Sequence, residues 1–394
     1  MKRRLQYIAA VFLVAMSIYG IDRWIRNDAD SPSTLASTAT RVRPSTCFEC
    51  HNDIATKYAA APHNSTLRRG DDPEVIAALA GKSAILNDHR HSFVERGGQL
   101  FAGHSAMPTD RRVDWVFGSG HHAMTPVAID VDPDGHPRLT QFNASLLADG
   151  ELGATPGLGV TVGQRDPAQT IAGLPPTHGK ISDPAETRRC FGCHVSGLPQ
   201  IDGRIDLNNL IANIDCNRCH PGATAHAQSG GVAGLTLDWA NLTPLEAINR
   251  CGECHRRADE FTPDELGPDV LHLVRFAPVG MAMSRCFVRS QTTEMATSDP
   301  RFARFDCVTC HDPHAPASTN AAHYNKTCFA CHDFGKGGKA SVALQGPGPH
   351  PGQRMTSGCT AAGAESSCVS CHMPKKESGE GLFFTDHWIR VHRR

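Results

Sequence analysis

Apolar residues are distributed unevenly along this chain, and the longest apolar run lies close to the N-terminus. Three basic residues precede Leu5–Ile21, an apolar run of 17 residues. Such a run is longer than a typical signal-peptide core and slightly short of a full membrane span. Ala15 and Ser17 offer a small-residue cleavage site, but apolar residues continue beyond it. The pattern predicts an export segment at residues 1–26, and a membrane anchor is favoured over a cleaved signal.

Shorter patterns predict individual elements further along. Residues 27–46 are mostly small, polar or Pro and lack apolar periodicity, which indicates a linker. Val127–Val131 and Leu139–Phe142 alternate around an Asp-Pro-Asp-Gly turn, which predicts a β-hairpin. The helix-start pattern Asp/Thr-Pro-x-Glu begins at Asp183, Thr243 and Thr262. The first two copies lead into motifs described next, and the third predicts a short helix without such a motif.

One pentapeptide, Cys-x-x-Cys-His, occurs seven times. In chain order, motifs one to seven occupy residues 47–51, 190–194, 216–220, 251–255, 307–311, 328–332 and 368–372. With 16 Cys and 22 His in the chain, random placement would give only about 0.04 copies. On one helical turn, residues i, i+3 and i+4 share a face, so two thiols and an imidazole can reach one macrocycle. The motif is the attachment signature of a c-type haem.

Each motif therefore assigns two thioether cysteines and one proximal iron ligand. The predicted thioether residues are Cys47, Cys50, Cys190, Cys193, Cys216, Cys219, Cys251, Cys254, Cys307, Cys310, Cys328, Cys331, Cys368 and Cys371. The predicted proximal ligands are His51, His194, His220, His255, His311, His332 and His372. A zinc knuckle or redox dithiol would explain a single Cys-x-x-Cys, but it does not explain a His after every copy. The sequence predicts seven covalently bound haem c groups.

Composition changes the expectation for the core. Aromatic residues make up only 6% of the chain, whereas Gly and Pro number 36 and 26. Such a chain is rich in loops and poor in conventional core material, which flat apolar macrocycles would supply. We therefore predict a mainly α fold with long loops and a small β-hairpin region, organised around packed haems. We also predict that protein without haem is largely unfolded.

Fifteen histidines lie outside the motifs, and eight of these lie between motifs one and two. This enrichment suggests that the segment folds over the haems and donates distal ligands. The favoured distal ligands are His63, His121, His226, His314 and His387. Less favoured are His91, His272, His323 and His350, and His136 in the predicted turn is expected to be solvated. The methionines at positions 107, 124, 281 and 283 are alternative ligands, although core filling is the more common use of Met.

Two cysteines, Cys286 and Cys359, remain outside the motifs and could form a disulfide or stay as thiols. The formal net charge of −1 gives no basic surface for nucleic acid or lipid. The motif spacing divides the body into a single-haem region with a haem-free insert at 47–185 and a hexahaem region at 186–394. Six haems in a compact region of that size have centres roughly 18 Å apart, which predicts a continuous electron path.

Several ordered segments resemble multihaem cytochromes c of the superfamily that contains hydroxylamine oxidoreductase and the tetrahaem electron carrier of nitrification. The segments are CFECHNDIATKYAAAPHNSTLR, VDWVFGSGHHAMTP, CNRCHPGATAH, SRCF before CVTCHDPH, and CVSCHMPK before TDHWIRVH. The resemblance implies distal ligation by the five favoured histidines. It does not carry an activity across, because all seven motifs end in His and the cross-linking Tyr of the oxidoreductase has no obvious counterpart. Tyr324, just ahead of motif six, is the candidate to examine.

The leading hypothesis is a heptahaem electron carrier, exported to the periplasmic side and anchored to the inner membrane. It would pass electrons from a membrane-side donor to a periplasmic acceptor, with redox proteins as partners and no catalytic side chain. The alternative is a multihaem oxidoreductase that acts on a small nitrogen or sulfur oxyanion at one five-coordinate haem. A third hypothesis is a haem-bearing structural module.

Overall fold

A computed structural model describes the chain from α1, which carries the first motif, almost to the C-terminus. The described residues are 44–148, 157–164, 178–291, 304–329, 333–335, 339–341, 367–378 and 381–392. They belong to one compact unit, Thr38–Arg394, and the other unit, Met1–Ser37, lies outside the described residues. The predicted export segment and almost all of the predicted linker are therefore also outside them. Within the described residues, no helix combines the length and apolarity that crossing a membrane requires.

The described α-helices are short, and most carry or adjoin a motif. They are α1 Pro44–Ala59, α2 Pro73–Leu79, α3 Pro184–His194, α4 Cys216–Cys219, α5 Ala223–Gln228, α6 Pro244–His255, α7 Ala277–Met283, α8 Arg285–Ser290, α9 Ala321–Phe329 and α10 Cys368–His372. Single 3₁₀ turns lie at Pro62–Ser65, Trp239–Asn241, Ala258–Glu260, Leu271–Arg275 and Cys307–Thr309.

Strands are numerous in the segment between motifs one and two. In that segment they are β1 Leu67–Arg69, β2 Ser83–Leu86, β3 His89–Arg96, β4 Gln99–His104, β5 Arg111–Arg112, β6 Trp115–Phe117, β7 Ala123–Val131, β8 Pro137–Phe142, β9 Ala144–Leu147, β10 Gly157–Val160 and β11 Gly179–Ile181. Later strands are β12 Val195–Gly197, β13 Gln200–Ile201, β14 Arg204–Ile205, β15 Ile211–Ala212, β16 Asp333–Gly335, β17 Lys339–Ser341, β18 Lys375–Glu377 and β19 Phe383–Thr385. The later strands form four two-stranded sheets, β12–β15, β13–β14, β16–β17 and β18–β19.

The predicted fold class was wrong, because the segment between motifs one and two forms two antiparallel sheets. Seven strands pair in the order β1-β6-β7-β8-β11, with β9 joining β7 to β10, and β2 to β5 form a four-stranded sheet. The predicted hairpin is present as β7–β8, with Val131 opposite Pro137 across the turn. It is one part of a larger β region, Leu67–Ile181, and not an isolated hairpin.

The β region has a core made of ordinary apolar side chains. Phe93 and Leu100 from the four-stranded sheet meet Val116 and Ala128 from the seven-stranded sheet, and Val75 of α2 completes the cluster. Each of these five side chains is almost completely buried. Because side chains of a strand alternate between its two faces, both sheets can direct one apolar face into this shared core. This region therefore does not depend on macrocycles for an interior.

The helical region is built differently. Its described apolar cluster is small and joins Ile248 of α6, Met281 of α7 and Phe287 of α8. The Asp183 side chain accepts a hydrogen bond from the Glu186 backbone at the start of α3, and Thr243 with Glu246 forms a capping box on α6. Both predicted helix starts before motifs two and four are confirmed.

The third predicted helix start was wrong. Thr262 and Glu265 form the local hydrogen bond of the pattern, with the Thr262 N–H 2.8 Å from the Glu265 carboxylate. Only a turn follows. Gly267 and Pro268 come directly after Glu265 and Leu266, and they end the segment before a helix can grow.

Candidate haem sites

The motifs lie at helix ends and tight turns, where their side chains can share one face. His194 and His255 are the last residues of α3 and α6, and α10 spans all of motif seven. Motif one lies inside α1, which has non-helical backbone angles at His51. Motif five lies on a 3₁₀ turn, and the last two residues of motif six, Cys331 and His332, are outside the described residues.

Four motif histidines lie opposite a second imidazole at nearly the same separation. The ring centroids are 6.3 Å apart for His51–His226, 6.0 Å for His63–His255, 6.2 Å for His220–His314 and 6.1 Å for His311–His387. With metal–nitrogen bonds of about 2 Å, two imidazoles on opposite sides of one metal ion have centroids about 6.3 Å apart. Four of the five favoured distal histidines thus occupy positions that fit an iron between two rings.

The second ring nitrogen of several of these histidines is already engaged. The Nδ1 atoms of His226 and His387 lie 2.8 Å and 2.9 Å from the backbone oxygens of Ala233 and Thr385. The Nδ1 atom of His314 lies 3.2 Å from the Asp312 carboxylate. When Nδ1 donates its hydrogen, the lone pair of Nε2 is left for a metal. These contacts therefore select the tautomer that an iron ligand needs.

The imidazoles of His63 and His255 face each other. Both side chains are accessible to solvent. Even so, surrounding protein disfavours their charged form, so burial lowers the pKa of His63 and, with nearby His63, His194 and His387, lowers that of His255 to about 4. The two ring centroids are 6.0 Å apart, which leaves room for one iron between them, so the residues present suit a haem.

The second and seventh proximal histidines differ from the four paired ones. The Nδ1 atoms of His194 and His372 lie 2.9 Å and 3.0 Å from the backbone oxygens of Thr66 and Arg390, as expected for iron ligands. Among the described residues, neither ring has an imidazole opposite it; the His194 ring instead meets the edge of Phe117 at 4.8 Å. The iron of motif two therefore has one protein ligand among the described residues.

The structure does not bring His121 to a described motif histidine. Its ring contacts only that of its neighbour His122, at 6.3 Å. The His122 ring lies 4.6 Å from Phe384 and interacts electrostatically with Lys375, so this pair faces the β18–β19 hairpin that follows motif seven. Distal ligation by His121 stays a prediction.

Other histidines of the β region form their own cluster. The rings of His89 and His91 lie 4.8 Å and 4.6 Å from that of His104. A small cavity lies beside His91, His104 and His178. Of the eight histidines between motifs one and two, only His63 faces a described motif histidine. Of the two distal ligands favoured in this segment, His63 is thus placed beside a motif, and distal ligation by His121 stays a prediction.

The hydrogen bonds of this cluster also differ from those of iron ligands. His178 places Nε2, not Nδ1, 3.0 Å from the backbone oxygen of Thr109. The Nδ1 atom of His104 accepts a hydrogen bond from the Ala106 N–H at 3.1 Å. Across the described part of the chain, no three His, Cys, Asp or Glu side chains form a cluster suited to one metal ion.

Contacts between motifs define their order in space. α1 contacts α4, α3 contacts α6, α6 contacts the 3₁₀ turn of motif five, and α9 contacts α10, which brings together motifs one and three, two and four, four and five, and six and seven. Arg218 of motif three pairs with Glu253 of motif four at 3.6 Å. Cys310 of motif five lies near Thr327 and Cys328, at the start of motif six. The motifs therefore follow one line, 1-3-4-5-6-7, and motif two lies beside motif four.

Four remaining candidates from the sequence have other surroundings. Met124 and Met281 lie in the two apolar clusters, which agrees with core filling. The Tyr324 hydroxyl donates to the Ser318 backbone oxygen at 2.9 Å, while its ring meets His311 edge-on at 5.7 Å. Cys286 lies near Cys328, but Cys359 is outside the described residues, so the disulfide prediction is untested.

Sequence reasoning missed the groups that orient the imidazoles. Most are backbone oxygens, such as that of Thr66, which leave no trace in residue identity. Asp312 is a side-chain example, because its carboxylate lies 3.2 Å from the Nδ1 atom of His314. Asp386, directly before His387, is buried and pairs with Lys376 and Arg390 at 3.0 Å each. The Asp directly before His387 and the Asp two positions before His314 were the available signals.

The comparisons with known proteins agree with these sites. The family described as cytochrome c554 and c-prime matches residues 168–221, and the doubled CXXCH motif family matches residues 300–337. The fold is similar to that of the outer cell wall cytochrome OcwA, with a TM-score of 0.52 and 16% identity over 90% of this chain and 80% of that chain. No curated protein matches the sequence.

A second solved structure, the undecahaem cytochrome from the S-layer of Carboxydothermus ferrireducens, has a TM-score of 0.42 and 16% identity, covering 93% of this chain and 54% of that chain. The repeated motifs, the opposed imidazoles and the family matches together define the class. The chain is a multihaem c-type cytochrome that binds haem covalently through its Cys-x-x-Cys-His motifs.

Proposed function

We propose that this chain is a heptahaem electron carrier of the hydroxylamine oxidoreductase superfamily. It is exported, its residues 1–26 anchor it to the inner membrane, and residues 27–46 separate that anchor from the haem-bearing body. The body consists of a single-haem region with an insert at 47–185 and a hexahaem region at 186–394. Redox proteins are its partners: a membrane-side donor supplies electrons and an acceptor in the periplasm removes them.

The observation that carries this proposal is the unbroken line of motif contacts. Each motif in the line 1-3-4-5-6-7 touches or adjoins the next one. Haem c supplies reversible one-electron chemistry at its iron. Because both thioethers fix a macrocycle to its motif, motifs in contact keep their macrocycles close together. Residues of this chain thereby set a continuous route from motif one, beside the N-terminal linker, to motif seven.

The paired histidines support a carrier. Two imidazoles on one iron leave no position for a substrate and keep the potential low. The Nδ1 contacts of His226, His314 and His387 hold their rings in place, so little rearrangement accompanies a change of charge. No acid, base or nucleophile is required of any side chain.

Counting the bound haems tests the proposed number of seven per chain. A pyridine haemochrome assay combined with intact-protein mass should give seven haems per chain. Electron paramagnetic resonance (EPR) of the oxidised protein should be dominated by low-spin ferric signals from imidazole-paired irons. Six or fewer haems in protein matured with an active attachment system would overturn the heptahaem proposal.

A second candidate function rests on His194. Its ring has an iron-ligand tautomer but no opposed imidazole among the described residues, which suits a five-coordinate iron. In this alternative, motif two binds a small nitrogen or sulfur oxyanion and exchanges electrons through motif four.

The two candidates give different spectra. The oxidoreductase requires a high-spin ferric signal that shifts when nitrite or hydroxylamine is added. Replacing both Cys190 and Cys193 by Ala should remove that signal together with one haem. The matched variant, with Cys47 and Cys50 replaced by Ala, should lose one haem and keep the signal. Wild-type spectra without any high-spin component would exclude this candidate.

A further inference from the structure

We propose that His63 and His255 make the haem of motif four the junction of the electron path, and that it is electronically distinct from the other imidazole-paired haems. This inference rests on the proposed heptahaem function. It assigns a particular role to one motif and to the His63 side chain that completes it.

The first argument is position. The helix of motif four contacts the helix of motif two and the 3₁₀ turn of motif five. The Cys193 sulfur of motif two lies 3.8 Å from the Glu253 backbone oxygen of motif four. Glu253 also pairs with Arg218 of motif three, and Arg218 in turn interacts electrostatically with Cys193. Motif four therefore lies between motifs two, three and five.

The second argument is the source of the opposing imidazole. The His63 ring, from the segment that follows motif one, lies 6.0 Å from the His255 ring of motif four. Motif four is thus completed by a side chain that comes from beside another motif.

The third argument is ring orientation. The planes of His63 and His255 are 80° apart, whereas the other three pairs are at 7°, 26° and 39°. Parallel imidazoles interact with the same iron d orbital and split the d-orbital pair. Perpendicular imidazoles interact with different d orbitals, so these two orbitals stay nearly equal in energy. A ferric iron between perpendicular imidazoles gives a strongly axial low-spin EPR signal. A ferric iron between parallel imidazoles gives a rhombic signal. Ring orientation is thus a property that the protein imposes on the iron.

His63 sets this orientation from outside motif four. It lies on the 3₁₀ turn Pro62–Ser65, just after the helix of motif one, and its backbone oxygen accepts a hydrogen bond from the Ile214 N–H at 3.0 Å. Ile214 lies two residues before motif three. The segment that leads from motif one is therefore fixed to motif three and supplies the distal position of motif four.

EPR of single-ligand variants tests the assignment. In wild-type protein we expect a strongly axial low-spin signal to which motif four contributes the intensity of one haem per chain. His63→Ala should reduce the axial signal by one haem and add a high-spin signal of equal intensity. The matched variant His314→Ala, from the near-parallel pair, should keep the full axial signal and lose one haem of rhombic signal. An undiminished axial signal in His63→Ala, or a diminished one in His314→Ala, would overturn the assignment.

Redox titration tests the junction. Neighbouring haems interact electrostatically, so removing one changes the midpoint potentials of those next to it. Replacing Cys251 and Cys254 by Ala should shift three of the remaining potentials, whereas replacing Cys47 and Cys50 should shift one. Equal numbers of shifts would reject the junction. If the first variant does not fold, His63→Met serves instead. It keeps the haem of motif four and raises its potential, so that haem is reduced before its neighbours and the potentials of three neighbouring haems should fall.

The failure of this inference is distinguishable from failure of the proposed function. A protein with seven haems and no strongly axial signal would reject the junction assignment and leave the heptahaem carrier intact. A protein with fewer haems would reject the carrier whatever the shape of its spectrum.

Discussion

At the scale of single residues, the histidines differ in which ring nitrogen their hydrogen bonds use. His226, His314 and His387 engage Nδ1 and leave Nε2 for iron. His178 and His392 place Nε2 beside a backbone oxygen instead. Residue identity does not show which ring nitrogen is engaged, so this distinction could be made only from the three-dimensional structure. It separates the histidines outside the motifs that can bind iron through Nε2 from those whose Nε2 is engaged elsewhere.

A pair of variants near the C-terminus tests this distinction. His387→Ala should convert one low-spin iron to high spin and create one carbon-monoxide-binding haem in the reduced protein, because the imidazole opposite His311 is lost. His392→Ala should do neither, since its Nε2 lies 3.3 Å from the His372 backbone oxygen. Difference spectra with carbon monoxide measure both; binding induced by His392→Ala would contradict the assignment.

At the scale of elements, helix starts depend on more than their first four residues. Thr243 and Glu246 cap α6, which continues for three turns and ends at His255. Thr262 and Glu265 make the same local bond, yet Gly267 and Pro268 stop the chain from continuing as a helix. A capping pattern therefore predicts a start, and the following residues decide whether a helix follows it.

The cap of α6 should contribute measurably to the stability of motif four. Thr243→Ala removes a side chain that accepts from the Glu246 N–H, and such a loss costs about 1 kcal/mol. Hydrogen exchange of residues 244–255 should speed up by roughly five-fold, as this energy implies. Thr262→Ala is the control and should leave exchange in 244–255 unchanged; no difference between the variants would contradict the expected effect.

The histidine cluster of the β region should make β3 and β4 sensitive to acid. Burial, and then the nearby His91, His89 and His178, lower the pKa of His104 to about 4. In the unfolded chain its pKa is near 6.5, so between these values the unfolded state binds more protons. The stabilising contribution is fully present above pH 6.5 and is lost as the pH falls towards 4.

Hydrogen-exchange protection of residues 89–104, compared at pH 7.5 and pH 5, measures this effect. Protection should fall at pH 5 in the wild-type protein and fall less in His104→Gln. His136→Gln, in the β7–β8 turn, should behave as the wild type does. Equal protection at both pH values would mean that the cluster accommodates protons without cost.

At the scale of the whole molecule, two kinds of interior coexist. The β region buries ordinary apolar side chains between two sheets, with Val75, Phe93 and Leu100 almost fully buried. The helical region has a small described apolar cluster around Ile248, and several motif histidines, such as His51 and His255, are exposed. The first interior is complete without a cofactor, and the second is not.

This difference changes what we expect of protein made without haem attachment. The sequence predicts a largely unfolded chain, but the core of the β region should keep Leu67–Ile181 folded. Circular dichroism should show retained β structure with most helical signal lost, and limited proteolysis should leave a fragment that covers the β region. A fragment that instead covers 186–394, or complete digestion, would contradict this expectation.

The sequence alone determined the chemistry of attachment, because two thiols and an imidazole at i, i+3 and i+4 are a local property of one turn. It also identified His63, His226, His314 and His387 as ligand candidates, because they lie a short distance along the chain from a motif or beside Gly, Asp or aromatic residues. The extent of the β region was not predicted, because sheet pairing joins distant segments such as β1 and β6 and alternating patterns in short strands are weak.

Only the tertiary structure decided which histidine faces which motif, the order 1-3-4-5-6-7 with motif two beside motif four, and the 80° angle between His63 and His255. Each of these depends on how separate segments pack together. Nothing within a single motif records which other part of the chain will lie opposite it.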